Sequence, residues 1–293
     1  MTTLPDRLLR HLEWRVVRRL EGELQGAHRT VARGPGLDLA GLREYLPGDD
    51  VRHIDWNATA RLDEPHVREF LAERDLTAWF VLDRSASMRT GRADRSRADV
   101  QAELVGALAT VLVHGGNRVG AILADGASRR VVPPGTGRTQ VLRLLHELTR
   151  DLPAGPRTTT DLGAALDVAS ATITRRSLVL VVSDLLAQPG WEVALGRLAS
   201  RHEVVLVQLT DDAQDELPEV GWVLLEDGET GEQVLVDSAD PVLRRSLRTG
   251  LDAHDEAAAS AAHRARARLA RIDVADDLVP RLVALVRNSG RLP

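Results

Sequence analysis

The chain has 293 residues, 43% hydrophobic and 28% charged, with a net charge of −5 and aromatics at only 3%. That is the composition of a soluble globular protein whose core comes mainly from Leu, Val, Ile and Ala, without the basic surplus of a nucleic-acid binder. Cysteine is absent, which excludes disulfides, zinc–thiolate sites and iron–sulfur clusters; lysine is absent too, all 38 basic residues being Arg, which excludes a Walker A phosphate cradle and a Schiff-base lysine.

Residues 1–22 carry scattered charges and no unbroken apolar run, so they do not read as a signal peptide, and the longest apolar stretch, 178–182, is too short to span a bilayer. The expectation is a cytoplasmic protein. Leu4, Leu8, Leu9, Leu12, Val16 and Leu20 fall at helical spacing and predict an amphipathic helix over 4–21, interrupted by three Gly and a Pro between Gly26 and Gly36. Residues 37–76 are dense in charge and turn signals, with a turn at 47–50, and predict short strands and loops packed on the next domain. From Thr77 the pattern changes. Apolar runs at 77–82, 118–124, 128–132, 178–183 and 203–209 predict strands, and the periodicity of 97–113, 137–150, 161–174 and 191–200 predicts helices. Two short runs, 222–225 and 233–236, flank a turn sequence and predict a hairpin. A long Ala- and Arg-rich helix is expected over 240–271 and a last one over 276–287. Strands alternating with helices give an α/β fold with a doubly wound, mainly parallel sheet over 77–293, preceded by a small helix-plus-strand segment over 1–76.

In such sheets ligands sit beyond the C-terminal ends of the strands. Three places there carry suitable side chains: Asp83, Ser85 and Ser87 after the first strand, Thr160 at the start of a helix, and Asp184 after the strand 178–183. Two carboxylates and three hydroxyls, with waters, suit the octahedral oxygen shell of magnesium; manganese or calcium also fits. Two negative charges on a divalent ion leave room for one carboxylate from outside. The D-x-S-x-S pattern by itself equally suits an N-cap or Asx-turn at a strand–helix junction.

The sequences VLDRSASM, TTTDLGAAL and VVSDLL resemble the metal-ion-dependent adhesion site of von Willebrand factor A domains. That resemblance implies a metal held by Asp83, Ser85, Ser87, Thr160 and Asp184. The segment from Arg43 to Trp56, then Ala60-Arg61 and Glu73 to Asp75, is similar to the signature of the DUF58 family over roughly residues 30–290. Some members of that family carry transmembrane helices before the signature, and none is expected here. The family resemblance implies a MoxR-type AAA+ ATPase as partner. Within the signature, Arg43, Asp49, Asp50, Arg52, Asp55, Arg61 and Glu73 alternate in sign around Trp56. They read either as a salt-bridged network docking the N-terminal segment, with Trp56 as its apolar anchor, or as a surface whose arginines pair with a partner's carboxylates.

Together these residues and resemblances imply a metal-dependent interaction adaptor rather than an enzyme. Two alternatives stand beside it. One is a magnesium-dependent aspartyl-phosphate phosphatase with Asp83 as nucleophile, which ordinarily needs a lysine on the phosphoryl group. The other is a metal-free structural scaffold. A serine hydrolase lacks its G-x-S-x-G elbow, and the nine His residues show no zinc spacing.

Overall fold

The computed structural model describes residues 33–46, 51, 54–62, 64–71, 76–92, 95–126, 128–150, 161–212, 219–227 and 231–287. The expected helix over 4–21 lies outside them. The chain divides into two compact units, one within 25–75 and one from Leu76 onward.

In the first unit β1 (Arg33–Glu44) pairs antiparallel with β2 (His66–Leu71), and α1 (Trp56–Leu62) lies in the connection. Asp55 starts that helix. Its Oδ1 accepts the backbone N–H of Asn57 at 3.0 Å and of Ala58 at 3.1 Å, satisfying donors that the first turn leaves over. The glycines read as an interruption up to Gly36 are partly inside β1, because pairing with β2 supplies the order that local propensity does not.

The second unit is built on a six-stranded sheet in the order β12-β9-β8-β3-β6-β7. Its strands are β3 (Thr77–Asp83), β6 (Arg118–Asp125), β7 (Ser128–Gly135), β8 (Leu178–Ser183), β9 (Glu203–Thr210) and β12 (Arg268–Asp273). All neighbours run parallel except β6 and β7, which form a hairpin at one edge. This is the doubly wound, mainly parallel α/β sheet expected from the alternation of elements. A two-residue ribbon, β4 (Gly91–Arg92) with β5 (Arg95–Ser96), precedes the first large helix, and the hairpin β10 (Trp222–Glu226) with β11 (Gln233–Asp237) pairs as expected.

Both faces of the sheet are covered. Ala78, Phe80 and Leu82 of β3 pack with α2 (Arg97–His114), α3 (Gly137–Thr149) and α7 (Leu278–Arg287). Trp79 and Val81, pointing the other way, pack with α4 (Leu162–Thr172), α5 (Trp191–Ala199) and α6 (Pro241–Ala265). A central parallel strand buried on both sides must be apolar at every position, which is why 77–82 and 178–182 read as unbroken runs. Among the described residues no helix is long and apolar enough to cross a membrane.

One element differs from expectation. The long helix stops at Ala265, and the residues after it form β12, the far edge strand paired with β9. Arg266 turns the chain out of the helix in the left-handed region, with φ of 54°. The usual signal for such a cap is Gly, and its absence hides the boundary. Tertiary pairing with the β9 edge overrides the helical propensity of the Ala/Arg run.

Candidate metal centre

The chain leaves β3 for one side of the sheet (β6, β7) and later returns to the other (β8, β9, β12). The order therefore reverses between β3 and β8, and the crevice beyond their C-terminal ends is the place where such sheets bind ligands. Leu82 stands beside Val182 in the ladder, so Asp83 ends one strand next to Ser183 and Asp184 at the end of the other.

Asp83 and Asp184 are 2% and 3% exposed, so both carboxylates are out of bulk water. The Asp83 carboxylate is held at both oxygens. Oδ1 accepts the Ser85 backbone N–H at 2.9 Å, and Oδ2 accepts the Ser183 hydroxyl at 2.6 Å. Ser85 Oγ and Ser87 Oγ lie 2.9 Å apart. Asp184 Oδ1 accepts the Leu186 N–H at 3.0 Å, while its Oδ2 is buried with no hydrogen-bond partner. Burial pushes the Asp83 carboxyl up from 3.8 to about 6; the charge of Asp184 pushes the same way, and hydrogen bonds from Ser183 and Ser85 hold it back.

The loops are fixed by backbone geometry. The Ser183 hydroxyl also accepts the Leu185 N–H at 2.9 Å, so one serine ties Asp83 to the turn that carries Asp184. Leu185 is fully buried at a φ of 62°, a conformation that costs a leucine on the order of 1 kcal/mol and is held there by its packing. Below the crevice Gln101 of α2 donates from Nε2 to the carbonyls of Asp83 (3.0 Å) and Val182 (3.1 Å), bridging the two strand ends. The α2 start is itself fixed by a capping box, Ser96 with Asp99.

Of the five residues expected to bind metal, the structure brings Asp83, Ser85, Ser87 and Asp184 to one crevice; Thr160 lies outside the described residues. Its neighbour Asp161 caps α4, accepting the Ala164 N–H at 2.8 Å, so it stands before the helix rather than in its first turn. Ser183 and Gln101 escape the sequence reading. The available signals are a hydroxyl closing an otherwise apolar strand and an amide one turn below Arg97 in an apolar stripe. In the first unit Asp55 is the helix cap, Arg61 Nε donates to its own helix at the Asn57 carbonyl (3.2 Å), and Arg43 stands opposite Val67 in the β1–β2 ladder. Trp56, the first residue of α1, is 69% exposed. Asp49, Asp50, Arg52 and Glu73 lie outside the described residues.

The donors fit a hard divalent cation. Two buried carboxylates that repel each other, one with an orphaned oxygen, would be stabilised by a positive charge between them. Among the described residues no three His, Cys, Asp or Glu side chains converge, so hydroxyls and waters would have to complete a cation's shell.

A model of the family described as "Protein of unknown function DUF58" matches residues 41–257. Uncharacterized protein Rv1480 of Mycobacterium tuberculosis is 40% identical over 259 residues, covering 88% of this chain and 78% of that protein. Uncharacterized protein Mb1516 of Mycobacterium bovis matches with the same figures. Among solved structures, the conserved hypothetical protein BatB from Bacteroides thetaiotaomicron is similar at 14% identity and a TM-score of 0.49, over 74% of this chain and 99% of that one. The SpRpn10 VWA domain is similar at 14% identity and a TM-score of 0.42, over 72% of this chain and 94% of that one. At such identities and scores, neither structure speaks to what this chain binds.

Proposed function

The chain belongs to the DUF58 family of proteins of unknown function, and we propose that it is a metal-dependent protein–protein adaptor. Asp83, Ser85, Ser87, Thr160 and Asp184 hold a magnesium ion, and a carboxylate of the partner completes the coordination shell. The observation that carries this reading is the buried Asp83–Asp184 pair with its orphaned Asp184 oxygen and the two adjacent serine hydroxyls. When bound, the cation supplies one open position for a hard anionic oxygen.

The chain's residues do the rest. Ser183 and the Ser85 N–H aim the Asp83 carboxylate, the Leu185 turn presents Asp184, and Gln101 keeps the two strand ends in register. Such a site rewards a partner acid only when its geometry is right, so affinity and metal dependence come together. The partner is a MoxR-type AAA+ ATPase, met in the cytoplasm, with other proteins assembled or matured as the outcome. Turnover is not part of this reading. With both oxygens engaged, Asp83 is a poor nucleophile, and there is no lysine to neutralise a phosphoryl group.

Calorimetric titration with magnesium, followed by a pull-down of the ATPase with and without chelator, tests the reading. Wild type binds the ion and the ATPase, and Asp83→Ala loses both while its circular dichroism is unchanged. Equal capture of the ATPase in chelator refutes the metal mechanism, and no magnesium binding by the wild type favours a metal-free scaffold.

A further inference from the structure

Beside the metal centre lies a cavity of about 440 Å³, and Asp83 and Ser85 form part of its wall. Its floor is apolar, from Met88, Ala102 and Leu148. Its rim carries three guanidinium groups brought from separate places in the chain: Arg84 after β3, Arg89 in the 3-10 turn, and Arg150 at the end of α3. Among the described residues none of the three has a carboxylate partner in a salt bridge. Arg84 donates to the Arg150 carbonyl, a contact that draws two of them together. Arg89 and Arg150 are exposed. The nearby Glu147 is already paired with Arg130 at 2.8 Å. Three like charges held at one mouth are a cost to the fold that an anion in the cavity removes.

We infer that this cavity is the second half of the partner site and takes an acidic peptide segment, with one carboxylate at the metal centre and a neighbouring carboxylate on Arg84, Arg89 and Arg150. The identity of the occupant as a protein segment rests on the adaptor reading; the anion preference rests on the arginines alone. The floor argues for a side chain rather than a bare oxyanion, because the small apolar surface that Ala102 and Leu148 leave open suits the methylene stem of a glutamate.

The test uses the full chain and fluorescently labelled hexaglutamate, read by anisotropy at low salt with magnesium or with chelator. The double variant Arg89→Ala/Arg150→Ala should bind the probe about tenfold more weakly than wild type, the combined effect of two solvent-facing ion pairs. Arg175→Ala/Arg176→Ala, an exposed arginine pair elsewhere, should bind as wild type does. The loss on the first double variant should persist in chelator, where the metal contribution is gone. If chelator abolishes binding while Arg89→Ala/Arg150→Ala leaves it unchanged in magnesium, this inference falls and the metal reading stands. If the variant weakens binding and chelator has no effect, the arginine site stands and the metal reading falls. Equal loss on both double variants, no binding by the wild type, or displacement by inorganic phosphate at concentrations similar to free hexaglutamate each overturns the assignment.

Discussion

The raised pKa of Asp83 makes stability depend on pH and, on the proposed metal reading, couples both to magnesium. In the unfolded chain this carboxyl loses its proton near 3.8; in the folded chain it keeps it until about 6. Between those values the folded state holds more protons, so stability falls as pH rises through this window and is lowest above it. A shift of about two units corresponds to about 3 kcal/mol, or roughly 6–12 °C in Tm for a unit of this size. His202 works in the opposite sense. Burial, then the charge of Arg201, holds its ring below the ordinary value, so it removes stability as pH falls through the imidazole range. The diagnostic quantity is therefore the difference between wild type and Asp83→Asn, which cancels the histidine. Measured by urea unfolding in chelator from pH 4.5 to 7.5, that difference should shift by about 2 kcal/mol in favour of the variant, the part of the window that lies above pH 4.5. Excess magnesium should reverse the trend for the wild type alone. The ionised pair binds the cation, and an ion at a hundred times its Kd contributes about 2.7 kcal/mol. A difference that stays flat across pH, or a magnesium effect equal at pH 5 and 7.5, would refute the account of two carboxylates sharing a dry crevice.

Asp184→Asn removes the charge that helps raise Asp83, so in chelator at pH 7 it should be more stable than wild type, while calorimetry shows magnesium binding lost. Gln101→Leu leaves the carbonyls of Asp83 and Val182 without their side-chain donor; unfolding should show a loss of about 1–3 kcal/mol, and magnesium affinity should drop with it. Leu180→Ala opens a hole in the centre of the sheet, where the side chain is fully buried, and should cost about 2–5 kcal/mol by denaturant midpoint without changing the metal-binding stoichiometry.

The sheet strands are legible because burial on both faces forces period-free apolar runs, and 178–183 is recovered to the residue. β12 is not, because an edge strand half open to solvent tolerates Arg at 268 and 271 and so keeps the composition of the helix before it. The candidate site divides the same way. Asp83, Ser85, Ser87 and Asp184 announce themselves as polar residues where apolar strands end, which is a local property. Ser183 is readable only as the last letter of a strand, and nothing local says that its hydroxyl reaches the carboxylate of a residue 100 positions earlier.

The sequence by itself therefore determined the layers of the fold and the presence of strand-end oxygens, since both depend on which side chains water accepts. The absence of lysine and cysteine likewise narrows the chemistry without reference to the fold. Only the tertiary structure decided that β8 lies beside β3, placing the two aspartates at the point where the strand order reverses. It also decided that Arg84, Arg89 and Arg150, from separate segments, share one cavity mouth. Strand order and loop convergence are set by how the helices pack on the two faces, and that long-range choice leaves no mark at any single position of the chain.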